Sequence, residues 1–309
     1  MYINYFKQIS RFLLGLMICC LLFSKSVSAQ EYKFKFNPPD NLNFVQNIKN
    51  TKTTKVENLG ERVDVTQTRL RVNIKKIPTG FKITMTPLST SIRQDDQIIS
   101  NPIIDLLKDI VVTYEVDNDG KLLKIKGYEN VLEKAKKSLP PSAIASVTAI
   151  LSEEALVNKE KTEWSGRIED FANATVKIGD AFTVNLPFAL PNGETINYYT
   201  VIKVTGKDSC APEKTCLKIE TLYNSNAEAL AKFAGKTIEQ ITNESSSKPT
   251  VSKAEIQGKA HRLIDPETML IYEETINRTI KFQLEIPGQG KKNVVSEEKR
   301  VYTYEYTPE

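Results

Sequence analysis

Apolar and polar residues alternate through most of this chain, and that period of two constrains its fold more than any other feature. Tyr32-Lys-Phe-Lys-Phe36 sets three aromatic rings on one side of an extended segment and two lysines on the other. Val63–Ile74, Phe81–Met85, Val111–Val116, Lys121–Ile125, Ala174–Leu186, Thr195–Thr205, Leu217–Leu222, Val251–Ile264, Met269–Glu285 and Glu298–Tyr306 follow the same rule for most of their lengths. Successive side chains of a strand point to opposite faces, so alternation means one covered face and one wet face. Parallel sheets are covered on both faces and carry continuous apolar runs instead. The expected frame is therefore antiparallel. Pro78-Thr-Gly80, with glycine where a positive φ is needed, and Asp117-Asn-Asp-Gly120 read as turns between such strands.

Helical spacing interrupts this pattern three times. Asn101 can cap a short helix with Pro102 at its first position, and Ile103, Leu106, Leu107 and Ile110 then share one face. Glu129–Val157 reads as helical pieces broken at Pro140-Pro141, the second carrying Ile144, Val147 and Leu151 at helical spacing. Asn226–Ile241 is the third, followed by a polar stretch that makes 242–250 the expected flexible loop. The fold class expected is α+β: one large curved antiparallel sheet, half-barrel-like, with the helices on its concave face. Residues 30–309 are expected to form one domain. The hairpins Tyr114–Leu123 and Arg262–Ile271 echo each other, which is compatible with a duplicated half.

Residues 1–29 have the three parts of a secretory signal. Lys7 and Arg11 are followed by a twelve-residue largely apolar run, Phe12–Phe23, and then by Val27-Ser-Ala29 at the expected cleavage point. A membrane-spanning helix needs about 20 apolar residues, so no stable transmembrane anchor is expected. Ile18 stands before Cys19, where lipoprotein processing requires a small residue. A mature chain starting at Gln30, periplasmic or secreted, is the expectation. Without Lys7, Arg11 and Lys25, 39 of the 42 basic residues remain against 38 acidic ones. That balance gives no electrostatic reason to expect nucleic acid as a partner. Cys210 and Cys216 are then the only cysteines left, with five residues between them, and are expected to form a disulfide across a hairpin tip.

Catalytic and metal motifs are scarce. His261 is the only histidine and cannot build a histidine-rich metal site alone. Glu115-Val-Asp-Asn-Asp-Gly120 begins like a calcium loop, but its twelfth position is Lys126 where a bidentate Glu belongs. The same residues make a good hairpin turn. Asp95-Asp96 and Glu153-Glu154 read as a solvated loop and a helix start. Nucleophile elbows, phosphate loops, dinucleotide glycines and His-Glu-x-x-His are not found in the sequence. The expectation is a protein that is not an enzyme and needs no cofactor or metal. Trp164, the only tryptophan, reads either as a wedge between helix layer and sheet or as a ring for stacking a ligand.

The order of parts over about residues 31–285 resembles the periplasmic lipoprotein-carrier half-barrels of the LolA and LppX kind. The features that carry this are the long alternating strands followed by helices, the strand–Asp-x-Asp-Gly–strand hairpin, and the returning hairpins. Val111–Leu132, with Lys124-Ile-Lys-Gly-Tyr128 leading into a helix, also resembles other β-rich exported bacterial proteins. The resemblance implies a sheet curved around helices, with acyl chains held in the gap. This chain is longer than those carriers and adds the cysteine hairpin and the 226–241 helix. Helices laid on a sheet can leave an apolar concavity. The residues expected to line it are Ile103, Leu106, Leu107, Ile144, Val147, Leu151 and Trp164, with a lipid or other apolar small molecule as partner. The alternative is a structural or assembly protein of the cell envelope that pairs with other envelope proteins through exposed strand edges.

Overall fold

The alternating segments fold into long antiparallel strands. A computed structural model describes residues 30–140, 144, 148, 151–189, 195–226, 228–241, 250–288 and 290–306. In chain order the elements are β1 (Glu31–Lys33), β2 (Leu42–Val56), β3 (Gly60–Ile77), β4 (Gly80–Gln94), β5 (Gln97–Ile98), α1 (Pro102–Leu107), β6 (Val112–Val116) and β7 (Leu122–Lys126). Then come α2 (Val131–Ser138), α3 (Glu153–Trp164) running into a π-helical turn at Ser165–Glu169, β8 (Thr175–Lys177), β9 (Ala181–Ala189), β10 (Thr195–Ala211) and β11 (Lys214–Asn226). The chain continues through α4 (Glu228–Ile241), β12 (Thr250–Ile264), β13 (Ile271–Ile286) and β14 (Gly290–Tyr306). Tyr32–Glu309 form one compact unit. Residues 1–29, read above as a secretory signal, Val147 and the 242–249 stretch lie outside the described residues.

Twelve strands make one open sheet in the order β7-β6-β4-β3-β2-β14-β13-β12-β11-β10-β9, with β5 paired to β4. Each pair is antiparallel, as a half-covered pattern requires. The middle of the sheet is a seam between β2 and β14, in register from Phe44–Tyr306 to Val56–Val294. The Ala174–Leu186 segment departs from expectation by breaking at Gly179-Asp180 into β8 and β9. There the Gly179 N–H donates to the Val204 carbonyl and the Val204 N–H to that of Asp180. Strand β2 is an addition to the segments read from alternation.

Local chemistry sets the ends of these elements. The Asn101 side chain accepts from the Ile103 and Ile104 N–H groups at the head of α1. Ser152 accepts from Ala155, with Glu153 and Glu154 in the first turn of α3. In the β6–β7 hairpin the Asp117 carboxylate accepts from the Asp119 and Lys121 N–H groups. In the β12–β13 hairpin the Asp265 carboxylate accepts from the Glu267 N–H and the Thr268 hydroxyl, so the echoed hairpins share one turn device. Cys210 and Cys216 are bonded near the β10–β11 tip, where a register shift between Ser209 and Ala211 leaves Cys210 out of the ladder.

The sheet curls around α3. From β6 to β14 is four strand spacings, about 19 Å if the sheet were flat. Yet Trp164 packs against Tyr114 of β6 and Arg167, one helical turn on, lies over Tyr302 of β14. The helices α1, α2 and α3 lie over the main core, which includes Phe34, Phe81, Val116, Val131 and Leu151. Helix α4 covers a smaller core of Ile196, Ala231, Ala254 and Ile256 at the other end of the same face. The opposite face is polar: the Asn47 side chain links Arg69 and Glu305, and that of Asn73 donates to Asn43.

Candidate binding cavity

A cavity of about 550 Å³ lies between the concave face and α3. Strand register shows how its floor is assembled, because cross-strand partners share a face. One row across four strands reads Met85, Val72, Phe44, Tyr306, and the next Pro87, Leu70, Gln46, Tyr304. The third is Thr90, Thr68, Ile48, Tyr302, and the fourth Ile92, Thr66, Asn50, Arg300. All of these except Ile92 line the cavity. The floor passes from aliphatic and aromatic to hydroxyl, amide and guanidinium in the direction of the strands.

The opposite wall comes from α1, α3 and the π turn. Trp164 stands edge-on to Phe36 and Tyr114, with ring centroids 5.7 and 5.6 Å away, and its indole N–H donates to the Gly120 carbonyl at 2.9 Å. Gly120 has φ +84°, and a Cβ there would sit 3.0 Å from the Cβ of Phe36, so the turn that receives Trp164 needs glycine. Four residues before Trp164, Glu160 accepts from the Tyr114 and Tyr128 hydroxyls. Burial, and then the Glu160 charge, push both phenols above their ordinary range.

Charged groups crowd the polar end. The π turn, a rare local widening often found at functional sites, presents Arg167 to the Tyr302 ring at 4.3 Å and to Glu274 of β13. Glu274 is fully buried and is also bonded by Arg262, which in turn donates to the Gly166 carbonyl at 2.9 Å. Burial alone would raise its pKa, but the two guanidiniums outweigh that and hold the carboxyl below the usual range. On β14 Glu298 accepts from Arg278 and Arg300, and Glu163 lies 3.7 Å from Arg300 and 3.9 Å from Lys159. Both carboxyls are held below the ordinary value, burial being outweighed by these cations. Among the described residues, Asn50 Oδ1 is one of three buried side-chain polar atoms without a hydrogen-bond partner. Such an atom costs about 1–3 kcal/mol when left unmatched.

The residues expected to line a ligand site divide. Leu107 and Trp164 line the cavity. Trp164 is both a wedge between layers and part of that lining. Ile103 and Leu106 pack on the main core, and Leu151 is a member of it at 1% exposure. Ile144 is half-buried and is not among the lining residues, and Val147 lies outside the described residues. His261 is an exposed strand residue 3.9 Å from Glu220. Sequence reasoning missed Asn50, Glu163, Arg167, Arg262, Glu274 and Arg300. A usable signal was present: Arg262 falls in step with the buried Ala260 and Ile264, and Arg300 in step with Tyr302 and Tyr304. A charge at an inward position is anomalous unless it is paired.

No family model matches the chain, and no curated protein sequence matches it. A solved structure of lipovitellin, described by its lipid–protein interactions, aligns with 88% of this chain at 8% identity and a TM-score of 0.44. The chain spans 26% of that structure's length. DynF, from the dynemicin biosynthesis pathway of Micromonospora chersina, aligns with 91% of this chain and 88% of its own at 9% identity and a TM-score of 0.21. Neither likeness carries an argument about function.

Proposed function

We propose that this chain is an exported, non-enzymatic binding protein that holds an apolar or apolar-tailed molecule between sheet and helices. The observation that supports this most is the cavity. At about 550 Å³ it falls within the roughly 300–1,000 Å³ typical of small-molecule sites, and one end of its floor is lined by Phe44, Leu70, Val72 and Met85. Export rests on the composition of residues 1–29 and on the paired cysteines. The resemblance of the sequence, in its order of parts, to the lipoprotein-carrier half-barrels agrees with a lipid as the ligand.

Native mass spectrometry of the exported protein and the fluorescence of Trp164 test this together. Co-purified lipid, with a shifted emission when lipid is added back, is the expected result. Leu107→Lys, which puts an ammonium into the cavity wall, should weaken that response while the protein stays folded. A lipid-free protein whose spectrum ignores fatty acids, glycerides and phospholipids would overturn the proposal. The envelope-assembly alternative draws on the open edge at β9, where Phe182 is 40% exposed. It would be favoured by self-association that Phe182→Lys abolishes.

A further inference from the structure

The polar end of the cavity narrows the chemistry of its ligand. We propose that the occupant is an uncharged amphiphile with a hydroxyl-bearing head, of the monoacylglycerol class, and that it lies in one direction. Its acyl chain runs along Phe44, Val72 and Met85, and its head sits at Asn50, Thr66 and Thr68. The inference rests on the cavity being a ligand site and adds the class and orientation of the ligand.

Three observations converge. The end rows differ, Met85, Val72 and Phe44 at one and Thr66, Asn50 and Arg300 at the other, with the mixed rows of Gln46 and Ile48 between them, so a molecule with one polar end has a favoured orientation. Next, the groups lining this end hydrogen-bond in both senses without charge: the Thr66 and Thr68 hydroxyls and the Asn50 amide. A hydroxyl head both donates and accepts, as they do, whereas a carboxylate head only accepts. Finally, the charges at this end are already matched. Arg300 is paired with Glu298 and Glu163, Arg167 with Glu274, and Lys159 with Glu160 and Glu163. An anionic head would have to compete with those carboxylates for Arg300 and then lie beside them, and a cationic head would face Arg300 and Arg167. An uncharged head disturbs none of the pairs.

The full exported protein, stripped of lipid, would be titrated with monooleoylglycerol and with oleic acid at neutral pH, where the acid is ionised. Trp164 fluorescence and native mass spectrometry both read binding. The glyceride should bind about tenfold more tightly. Asn50→Val, which removes one hydrogen bond, should weaken glyceride binding about fivefold and move the ratio between the two lipids toward one. Equal or tighter binding of oleate would overturn the head-group assignment and leave the cavity reading intact. Binding of neither lipid would overturn the cavity reading itself. An Asn50→Val protein that binds with an unaltered ratio would also refute the assignment. Should that variant fail to fold, the wild-type ratio and the same measurement on Thr66→Val decide the matter.

Discussion

Glu274 is a carboxylate with no exposed side-chain surface, and it is tolerable only because Arg167 and Arg262 reach it from two different elements. Replacing it by glutamine leaves both guanidiniums in a poor environment without their counter-charge. Glu274→Gln should therefore cost about 3–5 kcal/mol, read as a lowered denaturant midpoint. Glu163, Glu274 and Glu298 are all held below the ordinary glutamate value of 4.5 in the folded protein. As pH falls through that value the unfolded chain takes up protons while the folded one does not, which favours unfolding. The stability these groups contribute is whole above about pH 4.5 and is lost progressively below it. Thermal melts across that range should show a falling midpoint, with a smaller fall in Glu274→Gln. Alternation in the sequence marks which way such residues point, but it cannot say what they meet. Arg167 and Glu274 are 107 positions apart, and only the curl of the sheet brings them together. Trp164 was legible because it is the single tryptophan between a helix and a strand.

At the scale of elements, strands with alternating Val, Ile, Tyr and Phe were readable, and β2 was not. From Asn47 to Lys55 it contains Ile48 as its only large apolar residue, among threonines, lysines and asparagines. It is a strand because β3 and β14 supply hydrogen-bond partners on both sides, and one of the polar residues that hide it, Asn50, stands at the cavity's polar end. The break at Gly179-Asp180 was hidden for the converse reason, since apolar residues continue on both sides of it. Two substitutions test elements directly. Gly120→Ala forces a left-handed residue against Phe36 in the turn that holds Trp164, and should destabilise by about 1–2 kcal/mol, measured by chemical denaturation. The Cys210–Cys216 bridge closes only a short loop at a hairpin tip, so Ser at both positions should cost no more than about 2 kcal/mol. Complete loss of folding in that variant would show that the hairpin anchors more than itself.

Over the whole molecule, a single face of one open sheet carries a large core at one end, a small core under α4 at the other, and paired charges between them. Leu107 lines the cavity at the margin of the main core, while Leu151 lies within that core, a distinction helical spacing alone could not draw. Leu151→Ala should cost about 2–5 kcal/mol as a cavity-forming core change, visible as a drop in melting temperature. Leu107→Ala, at a residue already facing open space, should cost less and show itself in lipid binding. The seam between β2 and β14 also sets the timing of assembly. It joins the first long strand to the last, so contacts at the centre of the sheet are among the most distant in sequence, a topology that folds slowly. A chain emerging from a ribosome or a translocation pore can build β2–β3–β4 early and the β9-to-β13 meander later. Within the large sheet it has no strand pairing between these halves until β14 emerges. Until then the floor of the cavity lacks its fourth strand, and the ligand proposed above has no finished site to enter.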